Sequence, residues 1–144
     1  MSSPLELNEH THSEIERHCA AGDEFAGQGN YDAAVVEYRK AWQLIPDPKT
    51  EWEAATWVLA AIADAQFAAG KHEAAKDALQ QVMVCPGALG NPFLHLRFGE
   101  VSFELGELDK SADELMRAYM GAGPEIFENE DPKYLAFLKT RAKI

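Results

Sequence analysis

The 144-residue chain has two cysteines, Cys19 and Cys85, and no CxxC pair. A disulfide framework is therefore not expected, and a reduced cytoplasmic setting is the default. Basic residues are scarce: 13 Lys and Arg stand against 24 Asp and Glu, for a formal charge of -11. A phosphate-binding face needs a surplus of Lys and Arg, so a nucleic-acid or anionic-membrane partner is not expected; the charge favours a basic protein partner, or simply solubility. Long apolar runs are missing too. The longest, "AATWVLAAIADAQFAAG", is broken by Asp64 and Gln66 and is too short to span a bilayer. The N-terminus "MSSPLELNEHTHSE" has neither a basic n-region nor an apolar h-region, so no secretory signal is expected.

Catalytic and metal-binding patterns are equally thin. No glycine-rich phosphate loop follows a strand, and no Ser/His/Asp or Cys/His arrangement has supporting context. His10, His12, His18 and Cys19 are close in sequence. His10 and His12 are expected in a flexible tail spanning residues 1–12, where a fourth ligand at fixed geometry is not evident. "ENED" at 128–131 lacks the alternating oxygen ligands and central glycine of a calcium loop. Cys85 has no base nearby in sequence. The reading is a non-enzyme with no metal and no cofactor.

What the sequence does have is a repeat. Gly29 is followed five, nine and twelve residues later by Ala34, Tyr38 and Ala41. The same steps lead from Gly70 to Ala75, Leu79 and Val82, and from Gly106 to Ser111, Leu115 and Ala118. Seven residues before each glycine lies a small residue, Gly22, Ala63 or Gly99, and Pro46, Pro86 and Pro124 close the units. Glycines at this place suit the left-handed residue that ends a helix. The small columns let paired helices approach closely, with Tyr38, Leu79 and Leu115 filling the space beside them.

This pattern resembles the tetratricopeptide repeat (TPR), a helix–turn–helix unit of about 34 residues. The resemblance covers roughly residues 15 to 123, and the first repeat carries it best, with Gly22, Phe25, Gly29, Tyr31, Ala34, Tyr38, Ala41 and Pro46 in the family's places. His18, Leu59 and His95 stand in the column that is usually Trp. The implied fold is all-α: a right-handed α-solenoid of three TPR-like helical hairpins plus a C-terminal capping helix. The expected layout is one domain over 13–144, with repeats at about 15–48, 50–89 and 92–123 and the cap at about 132–141. Ser13-x-x-Glu16 and Thr50-x-x-Glu53 read as capping boxes, the latter starting its helix early. Asn91 before Pro92, and Asp131 before Pro132, read as helix starts.

Helical spacing then sorts the faces. In such an array the face of each first helix that points away from its partner lines a concave surface. The residue after each small one is acidic: Asp23, Asp64 and Glu100. Phe67 and Phe103 follow one turn later, and Trp57 and Phe93 share their faces. A row of three carboxylates backed by rings suits a Lys- or Arg-bearing peptide or protein surface. The family's better-known mode grips a terminal carboxylate with Lys, Asn and Arg. Here Cys19 and Asp23 occupy those columns, and Arg97 alone survives as a candidate.

The expected function is a non-catalytic interaction module that binds and neutralises one protein partner. "FLHLRFGEVSFELGELDKSADELMRAYMGAGPEIFENEDPKYLAFLKT" looks like the C-terminal part of small bacterial TPR proteins encoded beside polymorphic (Rhs-type) toxins. That resemblance implies an immunity protein with a cognate toxin as its partner. The alternative is a general TPR adaptor or chaperone-like peptide binder in a secretion or assembly pathway.

Overall fold

The computed structural model describes residues 7–144, all-helical with no strand among them. Residues 1–6 of the tail expected at 1–12 lie outside the described residues. Two compact units divide the chain at Leu89 and Gly90, where the sequence reading has one domain.

The first unit holds two hairpins: α1 (Glu9–Gly27) with α2 (Tyr31–Leu44), and α3 (Glu53–Ala68) with α4 (His72–Val82). Gly29 and Gly70, both at φ 78°, make the turns. Ile15, Ala34, Ala41, Val58, Ala63, Leu79 and Val82 form its dry interior. Gly22 lets α1 touch the ring of Tyr38, into which any Cβ at that position would run. The second unit holds α5 (Pro92–Glu104), α6 (Leu108–Ala122) and α7 (Pro132–Arg141), with a short 3-10 turn at Pro124–Phe127 before α7. Here Gly99 plays the part of Gly22 against Leu115, and the Ser111 hydroxyl donates to the Gly99 carbonyl at 2.7 Å.

Two helix starts differ from expectation. α1 begins at Glu9, so residues 9–12, expected in the tail, form its first turn. Asn8 supplies the cap, accepting from the Thr11 amide at 2.9 Å, and Ser13 falls inside the helix. Asn and Ser cap about equally well, so Ser13 does not by itself keep the helix from starting earlier, with Asn8 as its cap. Thr50 makes no cap either. It lies in a 3-10 turn (Lys49–Glu51), and α3 starts at Glu53 without a side-chain cap. Asn91 and Asp131 do cap α5 and α7, accepting from Phe93 and Lys133 amides at 3.0 and 2.9 Å.

The column that is usually Trp has a different solution in two hairpins. His18 pairs with Glu37 at 3.1 Å, and buried His95 pairs with Glu114 at 2.6 Å. Both pairs span 19 residues and occupy the same repeat position. Lys40 and Lys110 complete them at 2.8 and 2.7 Å from the two carboxylates.

Candidate functional site

The acidic column divides between the units. In the first, Asp23 on α1 is exposed and accepts a hydrogen bond from the Tyr38 hydroxyl at 2.6 Å. Asp64 on α3 is also exposed, and its charge acts on the same phenol. Burial is the main reason that phenol ionises far above its ordinary range, followed by Asp23, then Cys19 and Asp64. Two carboxylates from separate helices thus act on one buried ring, Asp23 by direct contact and Asp64 through its charge. Asp23 has a packing role as well, which repeat position alone did not reveal. Cys19 belongs to the same cluster; burial first, then Asp23 and Glu16, push its thiol up to about 11. It is protonated at neutral pH and a poor nucleophile.

Trp57 lies on α3 two turns before Asp64, 38% exposed, with the His12 ring edge-on at 6.0 Å. Phe67 is half-buried and tilted against His72 at 5.5 Å. The face offers two carboxylates and an accessible indole, a combination that can hold a cation and stack on its stem.

The second unit corrects the expectation for Glu100. Its carboxylate was read as lining an open groove, yet it is 0% exposed. Arg97 donates to it at 2.6 Å and to Glu130, in the turn before α7, at 3.3 Å. Burial, together with a hydrogen bond to Glu130, raises its ionisation to about 9 against the opposing pull of Arg97. Burial prevails because Arg97 divides its charge between two carboxyls. As an ion Glu100 would also leave its buried Oε2 without a partner; as an acid it has a proton to donate. Glu100 is a structural carboxylic acid here, and Arg97 is its partner.

Phe103 is likewise taken up within the unit. Tyr134 and Phe137 of α7 meet it edge-on at 5.5 and 5.2 Å, and Lys133 lies over its ring at 5.8 Å. Glu104 receives both the Tyr134 hydroxyl and Lys133, each at 2.9 Å. The chemistry expected of a ligand, a lysine and rings against a carboxylate and a phenylalanine, is supplied by α7 itself. Phe93, by contrast, is 68% exposed. Among the described residues no three His, Cys, Asp or Glu side chains gather as a metal site, and no helix is long and apolar enough to cross a membrane.

Comparison with known proteins bears on the fold. The sequence model described as "Tetratricopeptide repeat" matches residues 15–48. No curated protein sequence matches the chain. Among solved structures, the chain is similar to the Yersinia enterocolitica type III secretion chaperone SycD in complex with a peptide of the translocator YopD, with TM-score 0.71 and 16% identity over 92% of this chain and 95% of that one. PcrH from Pseudomonas aeruginosa gives TM-score 0.68 and 18% identity over 97% and 98%. The second TPR domain of human RPAP3, in complex with an HSP70 peptide, gives TM-score 0.68 and 18% identity over 92% and 99%. Identities this low speak for fold alone. The chain has the all-α, helical-hairpin fold of its tetratricopeptide-repeat neighbours, and the stretch that the family's model matches spans its first hairpin.

Proposed function

We propose that the protein is a non-catalytic adaptor or chaperone-like module that binds a Lys- or Arg-bearing segment of a partner protein on the α1–α3 face of its first unit. The observation that carries this reading is a pair of exposed carboxylates on separate helices, Asp23 bonded to the Tyr38 hydroxyl and Asp64 acting on the same phenol through its charge. Exposed Trp57 lies two turns from Asp64 on α3. Two carboxylates share one guanidinium or ammonium, and the indole covers its stem. SycD and RPAP3 are seen with peptides bound, and the same use of the fold supports the escort reading. The reduced cytoplasmic setting expected from the sequence is part of this proposal. The narrower reading, neutralisation of a cognate toxin, rests on sequence resemblance alone.

The test is a fluorescence-anisotropy titration with a labelled Arg- and Lys-containing peptide pool. Asp23→Asn with Asp64→Asn keeps an acceptor for Tyr38 while removing both charges. It is expected to weaken binding by roughly ten- to a hundredfold, as for loss of charge-assisted contacts worth about 1.4–3 kcal/mol. Unchanged affinity in the double variant would eliminate this face as the binding site.

A further inference from the structure

The second hairpin lacks the polar pair that the first and third possess. In its frame the places of His18 and His95 fall to Leu59, those of Glu37 and Glu114 to Ala78, and that of Lys110 to Ala74. Small side chains on α4 therefore leave space open beside α2. Leu59 and Ala78 line a cavity of about 240 Å³ between α2, α3 and α4. A second cavity, of about 370 Å³, shares Arg39, Gln66 and Ala74 with the first. Together they form a furrow along α2, whose wall runs from Trp42 through Arg39 and Val35 to Tyr31. That wall is about 16 Å long at the helical rise, the reach of roughly five residues of extended chain.

Three polar groups in the furrow have no partner among the described residues. Gln66 is only 6% exposed, lines both cavities, and its Oε1 receives no hydrogen bond. Arg39 on α2 and Asp77 on α4 line the first cavity and form no ion pair, whereas Asp32 and Lys71 at the other end pair with each other at 2.8 Å. A buried amide without a partner costs free energy that a ligand's N–H would recover.

We propose that this furrow is a second peptide-binding site, distinct from the Asp23 and Asp64 face, which takes a short extended segment. An acidic side chain of that segment pairs with Arg39, a backbone N–H meets Gln66 Oε1, and a donor side chain faces Asp77. The occupant's signature is opposite to that of the first site, where a basic side chain is required. One protein could thus hold two differently charged stretches of a partner.

The test is an NMR titration of the intact protein with a pool of acetylated, amidated pentapeptides that have Glu fixed at the centre, against the same pool with Gln. The Glu pool is expected to shift the Gln66 side-chain amide and the Trp42 indole, at an apparent affinity at least tenfold tighter than the Gln pool. Arg39→Glu, an exposed change that leaves the fold intact, is expected to abolish the shifts. Ala78→Glu, which refills the furrow as Glu37 and Glu114 do, is expected to do the same. The Asp23→Asn, Asp64→Asn variant should bind the Glu pool as the wild type does, so that this site and the first succeed or fail separately. Absence of shifts at Gln66 and Trp42, equal affinity for both pools, or full binding by Arg39→Glu overturns the proposal.

Discussion

Between pH 5 and 8.5 the protein is expected to lose stability steadily, and the Glu100→Gln variant is expected to lose much less. In the unfolded chain this carboxyl ionises near 4.5, and in the folded one at about 9. The folded state therefore holds a proton that the unfolded state releases throughout the interval. Stability from this group is fullest below pH 4.5, falls as pH rises, and levels off above about 9. The slope is about 1.4 kcal/mol per pH unit at most, so three units remove up to about 4 kcal/mol. Glutamine is neutral at every pH, can accept from Arg97, and can donate an N–H to Glu130 as the acid does. The variant should match the wild type near pH 5 and exceed it at pH 8. Thermal melts of both proteins across the range measure this directly, and parallel curves would show that Glu100 is ionised in the folded state.

The second large effect is steric. A Cβ on Gly99 would stand 2.6 Å from Cγ and Cδ2 of Leu115 and 3.0 Å from its backbone nitrogen. Leu115 is fully buried, and the Ser111 bond to the Gly99 carbonyl pins the two helices together. Alanine gains about 1 kcal/mol of helix propensity, but forcing α5 and α6 apart costs about 1–3 kcal/mol or more. Backbone as well as side chain must move, so the overlap wins, with a net loss of about 2 kcal/mol expected. Gly27→Ala is the control. Nothing lies within 4 Å of that position and its φ is ordinary, so the same change should be neutral or stabilising. Urea unfolding of the two variants should therefore give opposite signs; a Gly99→Ala protein as stable as wild type would mean that the close approach is not required.

Close approach was legible in the sequence because it is periodic. Gly22 with Tyr38 and Gly99 with Leu115 repeat at fixed distances from a turn glycine, and short-range capping at Asn91 and Asp131 follows from one side chain and the next two residues. Glu100 was not legible. Its neighbours suggest an open face, and its fate is decided by Glu130, thirty residues later, in a turn whose fold-back no local signal announces. Phe103 was misread for the same reason, since α7 covers it. The sequence shows Asp23 only as a member of the acidic row, because Tyr38 reads there as a space-filling ring and not as a hydroxyl donor. The His–Glu pairs could have been found: the 19-residue spacing from His18 to Glu37 recurs from His95 to Glu114. The furrow beside Ala78 could not, because an alanine becomes an opening only when a neighbouring helix is set beside it.

The hydrogen bond from Tyr38 to Asp23 also gives the first site its own optical reporter. Burial and the nearby carboxylates keep this phenol protonated well above the ordinary range. A bound guanidinium stays charged in strong alkali and would cancel the field of Asp23 and Asp64. Occupancy then appears as earlier growth of tyrosinate absorbance in an alkaline titration, so that the binding event can be followed in the unlabelled protein by its own colour in the near ultraviolet.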